Sequence, residues 1–245
     1  MLNSKYFGPM FFFLCFTLVA LGAGLRVPQT TSNKPNRPQR PDFEHFPIVN
    51  FDAPEASDLE TRSARRAKGR KYSKRYLPKI SEDTDQLYST ADWDRGLPAI
   101  PSDKSSAIVI GTVTKSEAYL TEDQTAIYSE FMVSVDTVVK NDLGNPIGNG
   151  RSITVERNGG HVRMPSGKIV VSWTSHQKMP HVGSRYVLFL THDFETNGDT
   201  GKDFYLLTGY LIQGGRVFPL DDTASGRAYT DVTDSSFLND LLSSV

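Results

Sequence analysis

The chain has 245 residues, of which 27 are Lys or Arg, 28 are Asp or Glu and one is Cys. A formal net charge of −1 excludes a wholly basic nucleic-acid binder. One cysteine excludes a disulfide scaffold or a cysteine-built metal site. Hydrophobic residues make up 38%, below the roughly 45–50% apolar share usual for globular chains, which fits a compact part joined to a dilute one.

Residues 1–24 read as a secretory signal peptide. Lys5 supplies a positive start, Met10 to Leu21 is an apolar run broken only by Thr17, and Ala20, Gly22 and Ala23 offer small residues for cleavage. The run is short of the ~20 apolar residues of a spanning helix and matches an export core of about 7–15. The alternative is an uncleaved anchor over residues 10–25. Cys15 belongs to this run, so cleavage leaves a cysteine-free mature chain whose fold rests on its apolar core. The expected location is therefore periplasmic or extracellular.

Residues 25–101 read as a disordered, Pro-rich and basic linker. Pro28, Pro35, Pro38, Pro41, Pro47 and Pro54 recur among polar residues without a 3.6 or 2.0 hydrophobic rhythm. Such a stretch cannot bury enough apolar surface to offset its chain entropy. Within it Arg62, Arg65, Arg66, Lys68, Arg70, Lys71, Lys74 and Arg75 form a cationic run with no acid between them. The run suits a polyanion such as an anionic envelope polymer, or simply a solvated linker. Two tyrosines, Tyr72 and Tyr76, are too few to indicate base stacking. Trp93, Leu97 and Ile100 are expected to pack as a strap leading into the next region. Charge divides the same way: residues 1–102 carry 15 basic and 11 acidic side chains, a net +4, and the remainder 12 and 17, a net −5.

Residues 102–245 read as a folded β domain. Ala107 to Val113 is β-branched and apolar enough for a strand covered on both faces. In the next segment Ile127, Phe131, Val133, Val135 and Val139 share one parity, which predicts a strand with one inward face. Ser152–Glu156, Lys168–Trp173, Arg185–Leu190, Phe204–Thr208 and Arg216–Phe218 predict further strands, separated by Gly, Asn, Asp and Pro. Asn158-Gly159-Gly160 is read as the end of the third strand. The series predicts a mainly β fold, an antiparallel OB-like barrel or sandwich. One C-terminal helix is expected, capped by Asp234, with Phe237, Leu238, Leu241, Leu242 and Val245 on one face.

The run Ile108-Val-Ile-Gly111-Thr-Val113, then Tyr128-Ser-Glu-Phe131, Val139-Lys140-Asn141 and Val182-Gly183-Ser-Arg-Tyr186-Val-Leu-Phe-Leu190 resembles a group of uncharacterised exported bacterial β-domain proteins. More distantly it is similar to the netrin/tissue-inhibitor-of-metalloproteinase module over about residues 105–220. That resemblance implies an OB-type barrel with a packed helix. It carries over no functional residue, because the module opens with an inhibitory cysteine and this chain has none there.

Five groupings could carry chemistry. His161, His176, His181, His192 and Asp193 are the candidate metal ligands, but no pair has the i, i+4 helical spacing of a metalloprotease. They underlie an alternative reading as a metal-dependent hydrolase using residues 161–192. Asp193, Glu195, Asn197 and Asp199 alternate like a calcium loop, yet the twelfth position is Phe204 where a Glu is needed. Ser129 sits in a strand pattern with no Gly-x-Ser-x-Gly elbow. Glu130 and Glu156 could form a carboxylate pair, although charges on outer strand faces explain them equally. Asp221-Asp222 reads as a turn. No catalytic residue and no cofactor is indicated. The expectation is a non-catalytic binding module whose partner is a protein, glycan or envelope component, without specific nucleic-acid binding. Membrane contact is expected only if the first segment stays uncleaved.

Overall fold

The structure, a computed structural model, describes residues 43–74, 76–89, 93, 96–192 and 203–245. The signal segment, Arg75 and the Asp193–Asp199 pattern lie outside these residues. The described elements run β1 (Ile48–Asn50), α1 (Leu59–Tyr72), β2 (Gln86–Ser89), β3 (Ala107–Leu120), β4 (Ile127–Lys140), β5 (Ser152–Asn158), β6 (Gly160–Arg163), β7 (Ile169–Thr174), β8 (Arg185–Thr191), β9 (Phe204–Gln213), β10 (Arg216–Pro219), β11 (Val232–Thr233) and α2 (Asp234–Ser243).

Strands β3, β4, β5, β9 and β8 close on themselves. β3 pairs with both β4 and β8, and β9 pairs with both β5 and β8. Every one of these pairings is antiparallel except the closure, β5 on β9, which is parallel. This is the expected OB-like barrel, with one pair departing from an all-antiparallel sheet. Its interior holds Val109, Val113, Phe131, Val133, Tyr186, Leu188, Phe204 and Leu206, all buried.

The alternation along β3 works as the sequence predicts. Val109 points into the barrel, while Ile108 and Ile110 point outward and are covered by a second cluster with Phe189, Tyr210 and Val217. The parity of β4 does not run unbroken. The register slips between Ile110↔Thr137 and Gly111↔Val135, and again beyond Val109↔Val138. An extra residue at each slip reverses the facing of the residues beyond it. Val138 therefore packs against the interior, and Val139, expected inside, packs outside. Gly111 sits at the first slip, where a Cβ would stand 2.5 Å from the Ser134 carbonyl oxygen.

Phe237 and Leu241 of α2 complete the outer cluster. The helix is capped one residue earlier than expected: the Thr233 hydroxyl accepts from the Ser236 amide, and Asp234 is the first helical residue. Of the five residues assigned to its apolar face, Leu242 is exposed because the helix lies along the barrel wall by a narrow stripe, and Val245 is exposed beyond the helix end at Ser243.

A second sheet, ordered β1-β6-β7-β2, packs beside the barrel. Val162 and Val170 join Ile80, Ala118 and Ile127 in a third cluster. β5 ends at Asn158 as expected, and Gly159 carries the chain directly into β6. Gly159 has φ +105°, and a Cβ there would lie 2.7 Å from the Ser172 carbonyl oxygen, so only glycine makes this passage without strain.

The main departure lies before residue 102. The span expected to be a structureless linker contains β1, α1 and β2 from residue 48 onward, and the described residues all belong to one compact unit, Pro38–Val245. Phe46, Ile80 and Leu97 are buried in it, and Ile100 packs on the outer cluster. β1 and β2 are three- and four-residue strands that add parallel to β6 and β7. Such short edge strands form by docking on a sheet, not by local propensity, so they leave little rhythm in the sequence.

Candidate functional site

The basic run of the linker is largely helix α1. Asp58 caps it, its carboxylate accepting from the Thr61 amide at 2.7 Å. Glu60 in the first turn and Arg70 and Lys71 in the last oppose the helix dipole favourably. The side of α1 facing the barrel is Arg65, Lys68, Gly69 and Tyr72, a stripe at i, i+3, i+4 and i+7. Gly69 and Tyr72 are buried.

Beneath this stripe lies a row of carboxylates. In the sheet register Glu117 of β3 is opposite Glu130 of β4, which is opposite Glu156 of β5. Like charges directly opposite one another destabilise a sheet. Here α1 supplies the counter-charge. Lys68 Nζ lies 2.7 Å from Glu130 and 3.2 Å from Glu156, and also pairs with Asp203. Lys71 Nζ is 3.1 Å from Glu156, and the Tyr72 hydroxyl donates to the same carboxylate at 2.8 Å. Lys115 neutralises Glu117 at 2.8 Å. Glu156 is 2% exposed, so Glu130 and Glu156 are not charges on an open strand face. Burial opposes the charge on Lys68, but the hydrogen bonds to Asp203 and Glu130 outweigh it and raise its pKa. Burial raises the pKa of Glu130 despite the pull of Lys68.

The other cations of the run divide between helix and barrel. Arg62 and Arg66 pair with Glu55, at 3.2 and 3.0 Å. The Arg65 guanidinium lies over the Tyr119 ring at 4.7 Å. Arg70 is exposed on the far side of the helix. Most of the run is thus satisfied within the molecule.

The histidines do not converge. His161 is on β6, stacked on Phe46 at 5.4 Å; burial lowers its pKa. His181 packs ring to ring with His45, centroids 3.9 Å apart. His192 stacks on Phe204 and meets Asp142 at 3.2 Å. His176 lies in a turn at φ +63°. Among the described residues no three His, Cys, Asp or Glu side chains come together to hold a metal. Asp221, expected in a turn, is a buried anchor: Arg157 Nη2 donates to it at 2.7 Å, Thr208 Oγ1 at 2.9 Å, and the Lys178 amide at 3.0 Å.

A groove of about 1090 Å³ opens where the end of α1, the Trp93 segment and the outer faces of β5 and β9 meet. Tyr76, 82% exposed, stands at its mouth. Trp93 forms one wall, its indole N–H donating to the Ser175 carbonyl at 2.7 Å. Tyr72 and Tyr205 line it as well. Between these rings the lining is rich in hydroxyl and amide groups, including Ser89, Ser106, Thr174, Asn158 and Gln177. Two of the amides are incompletely satisfied: the buried carbonyl oxygens of Asn158 (Oδ1) and Gln177 (Oε1) have no hydrogen-bond donor among the described residues. Lys74 also lines the groove. Burial lowers its pKa, and among the described residues no carboxylate pairs with it. Of these residues the sequence singled out Tyr72, Tyr76 and Lys74 as parts of the run and Trp93 as part of a strap; nothing in their spacing marks a shared groove.

No protein-family model matches the chain, and neither does any curated protein. The class it defines is therefore structural: a closed five-strand OB-like barrel with a basic helix docked over an acidic row. Among the described residues no helix is long and apolar enough to cross a membrane.

Proposed function

We propose that this chain is an exported, non-catalytic binding module that takes its ligand in the groove between α1 and the barrel. One observation carries the reading: a groove walled by aromatic rings has, among the described residues, unpaired carbonyl acceptors and an unpaired lysine in its lining. Buried acceptors without donors are costly, and concave sites with a few convergent polar groups are where ligands bind. Barrels of this kind bind through a strand face and adjoining loops, and β5 and β9 supply that face here. The distant similarity to the netrin/tissue-inhibitor-of-metalloproteinase module fits a barrel carrying a packed helix. Export rests on the Lys5 to Ala23 signal pattern.

Amide and indole chemical-shift mapping with a chemically mixed fragment set tests the groove. Shifts gathered on Trp93, Asn158 and Gln177, and lost in Ser89→Phe, support it; shifts scattered over the barrel or unchanged by Ser89→Phe contradict it. N-terminal sequencing of the protein recovered outside the cytoplasm tests export. A start just after Ala23 supports it, and an intact Met1 retained in the membrane contradicts it.

A further inference from the structure

We propose that the groove's ligand is an acidic saccharide: a pyranose chain bearing a carboxylate, with its ring faces against Trp93 and Tyr76, hydroxyls donating to Asn158 and Gln177, and its carboxylate on Lys74. This rests on the binding reading above and names the ligand class for that site.

Three features select this chemistry. The first is that aromatic rings (Tyr72, Tyr76, Trp93, Tyr205) share the lining with hydroxyl and amide groups. Aromatic rings give flat apolar contact with a polar edge, which suits the C–H faces of a sugar ring. A wholly apolar ligand would strand the Ser, Thr, Asn and Gln groups without partners. The second is the kind of hydrogen bond still wanted. Asn158 already donates from Nδ2 to Thr174 at 3.2 Å, so its vacant need is for a donor at Oδ1. Gln177, 2% exposed, needs a donor at Oε1. Sugar hydroxyls are donors, and they reach such oxygens directly or through one water. A carboxylate or phosphate alone offers none. The third is Lys74. Its ammonium is half-buried and, although Asp103 also lines the groove, no carboxylate of the described residues lies within ion-pair distance of it, while its neighbour Lys71 is engaged by Glu156. A bound anion would restore the interaction that burial removes, consistent with the lowered pKa of Lys74.

The test is calorimetric titration of the full chain with α-1,4-linked tetragalacturonate, with neutral galactotetraose of the same linkage, and with acetate. The expected result is saturable tetragalacturonate binding, galactotetraose at least roughly tenfold weaker, and acetate without measurable affinity, since one charge-assisted contact accounts for about that ratio. Lys74→Gln should remove the difference between acidic and neutral tetramers and leave galactotetraose binding unchanged. Gln177→Leu should weaken both. Circular dichroism and thermal unfolding of the variants separate lost binding from lost folding; if Gln177→Leu unfolds, the Lys74→Gln comparison decides alone. Absence of tetragalacturonate binding, equal binding of both tetramers, binding undisturbed by Lys74→Gln, or acetate binding as tightly as the tetramer overturns the proposal. If fragments still map to the groove in that case, the binding reading stands and the saccharide class falls.

Discussion

Lys68 Nζ sits 2.7 Å from Oε1 of Glu130, and this contact fastens a helix of the basic N-terminal half to the second strand of the barrel. The same ammonium reaches Glu156 and Asp203. A side chain that the sequence offers either to an external polyanion or to a solvated linker is here engaged by internal carboxylates.

Lys68 and Arg66 are two residues apart yet should behave differently. The Lys68 side chain is 21% exposed and Glu156 2%. Lys68→Met leaves Glu130 without its cation and Glu156 with Lys71 alone, which costs about 3 kcal/mol in urea unfolding. Arg66 pairs with the exposed Glu55 and Glu122, so Arg66→Ala should leave the urea midpoint unchanged. Equal effects of the two substitutions would mean that the acidic row does not hold α1.

The Arg157–Asp221 pair is sealed from solvent, with side chains 0% and 1% exposed. Asp221→Ala strands the guanidinium and leaves the Thr208 hydroxyl and Lys178 amide without their acceptor. Destabilisation of about 3–5 kcal/mol is expected, read by chemical denaturation. A loss below about 1 kcal/mol would show that this pair is not an anchor.

His161 gives the fold a defined acid sensitivity. Burial depresses its folded pKa relative to about 6.5 in the unfolded chain. Between those values the unfolded state binds more protons, so the contribution is complete above about pH 6.5 and is lost as pH falls through the folded value. His161→Phe keeps a ring against Phe43 and Phe46 and removes the titration. Wild type should lose more stability than His161→Phe as the pH is lowered from above about 6.5 into the acid range; parallel pH curves would contradict this.

On α2 the narrow contact stripe predicts opposite outcomes for adjacent leucines. Leu241 is fully buried and Leu242 is 64% exposed. Leu241→Ala should cost about 2–5 kcal/mol, whereas Leu242→Ala should stay within about 0.5 kcal/mol. Calorimetric unfolding of both variants checks it.

The barrel was legible because its strands carry their own signal. Ala107–Val113 and Arg185–Leu190 are rich in β-branched, aromatic and other apolar residues, and each forms a strand over that stretch. α2 was legible through Phe237 and Leu241. Helix α1 was not, because its barrel-facing stripe is Arg65, Lys68, Gly69 and Tyr72. Its periodicity is helical, but its partners are carboxylates, so no apolar rhythm appears. The Asp58 cap and Glu60 were the local signals that could have placed it. β1, β2 and β6 owe their existence to neighbours across the second sheet. The groove was illegible for a related reason: Lys74, Trp93, Asn158 and Gln177 lie on four separate segments, and only the fold brings them together.

The saccharide groove is tested most directly by an intermolecular nuclear Overhauser experiment on the chain saturated with tetragalacturonate. Cross-peaks from sugar ring protons to the Trp93 indole and the Tyr76 ring are the predicted result. Cross-peaks confined to other surfaces, such as Leu143 or the exposed edge of α2, would contradict it.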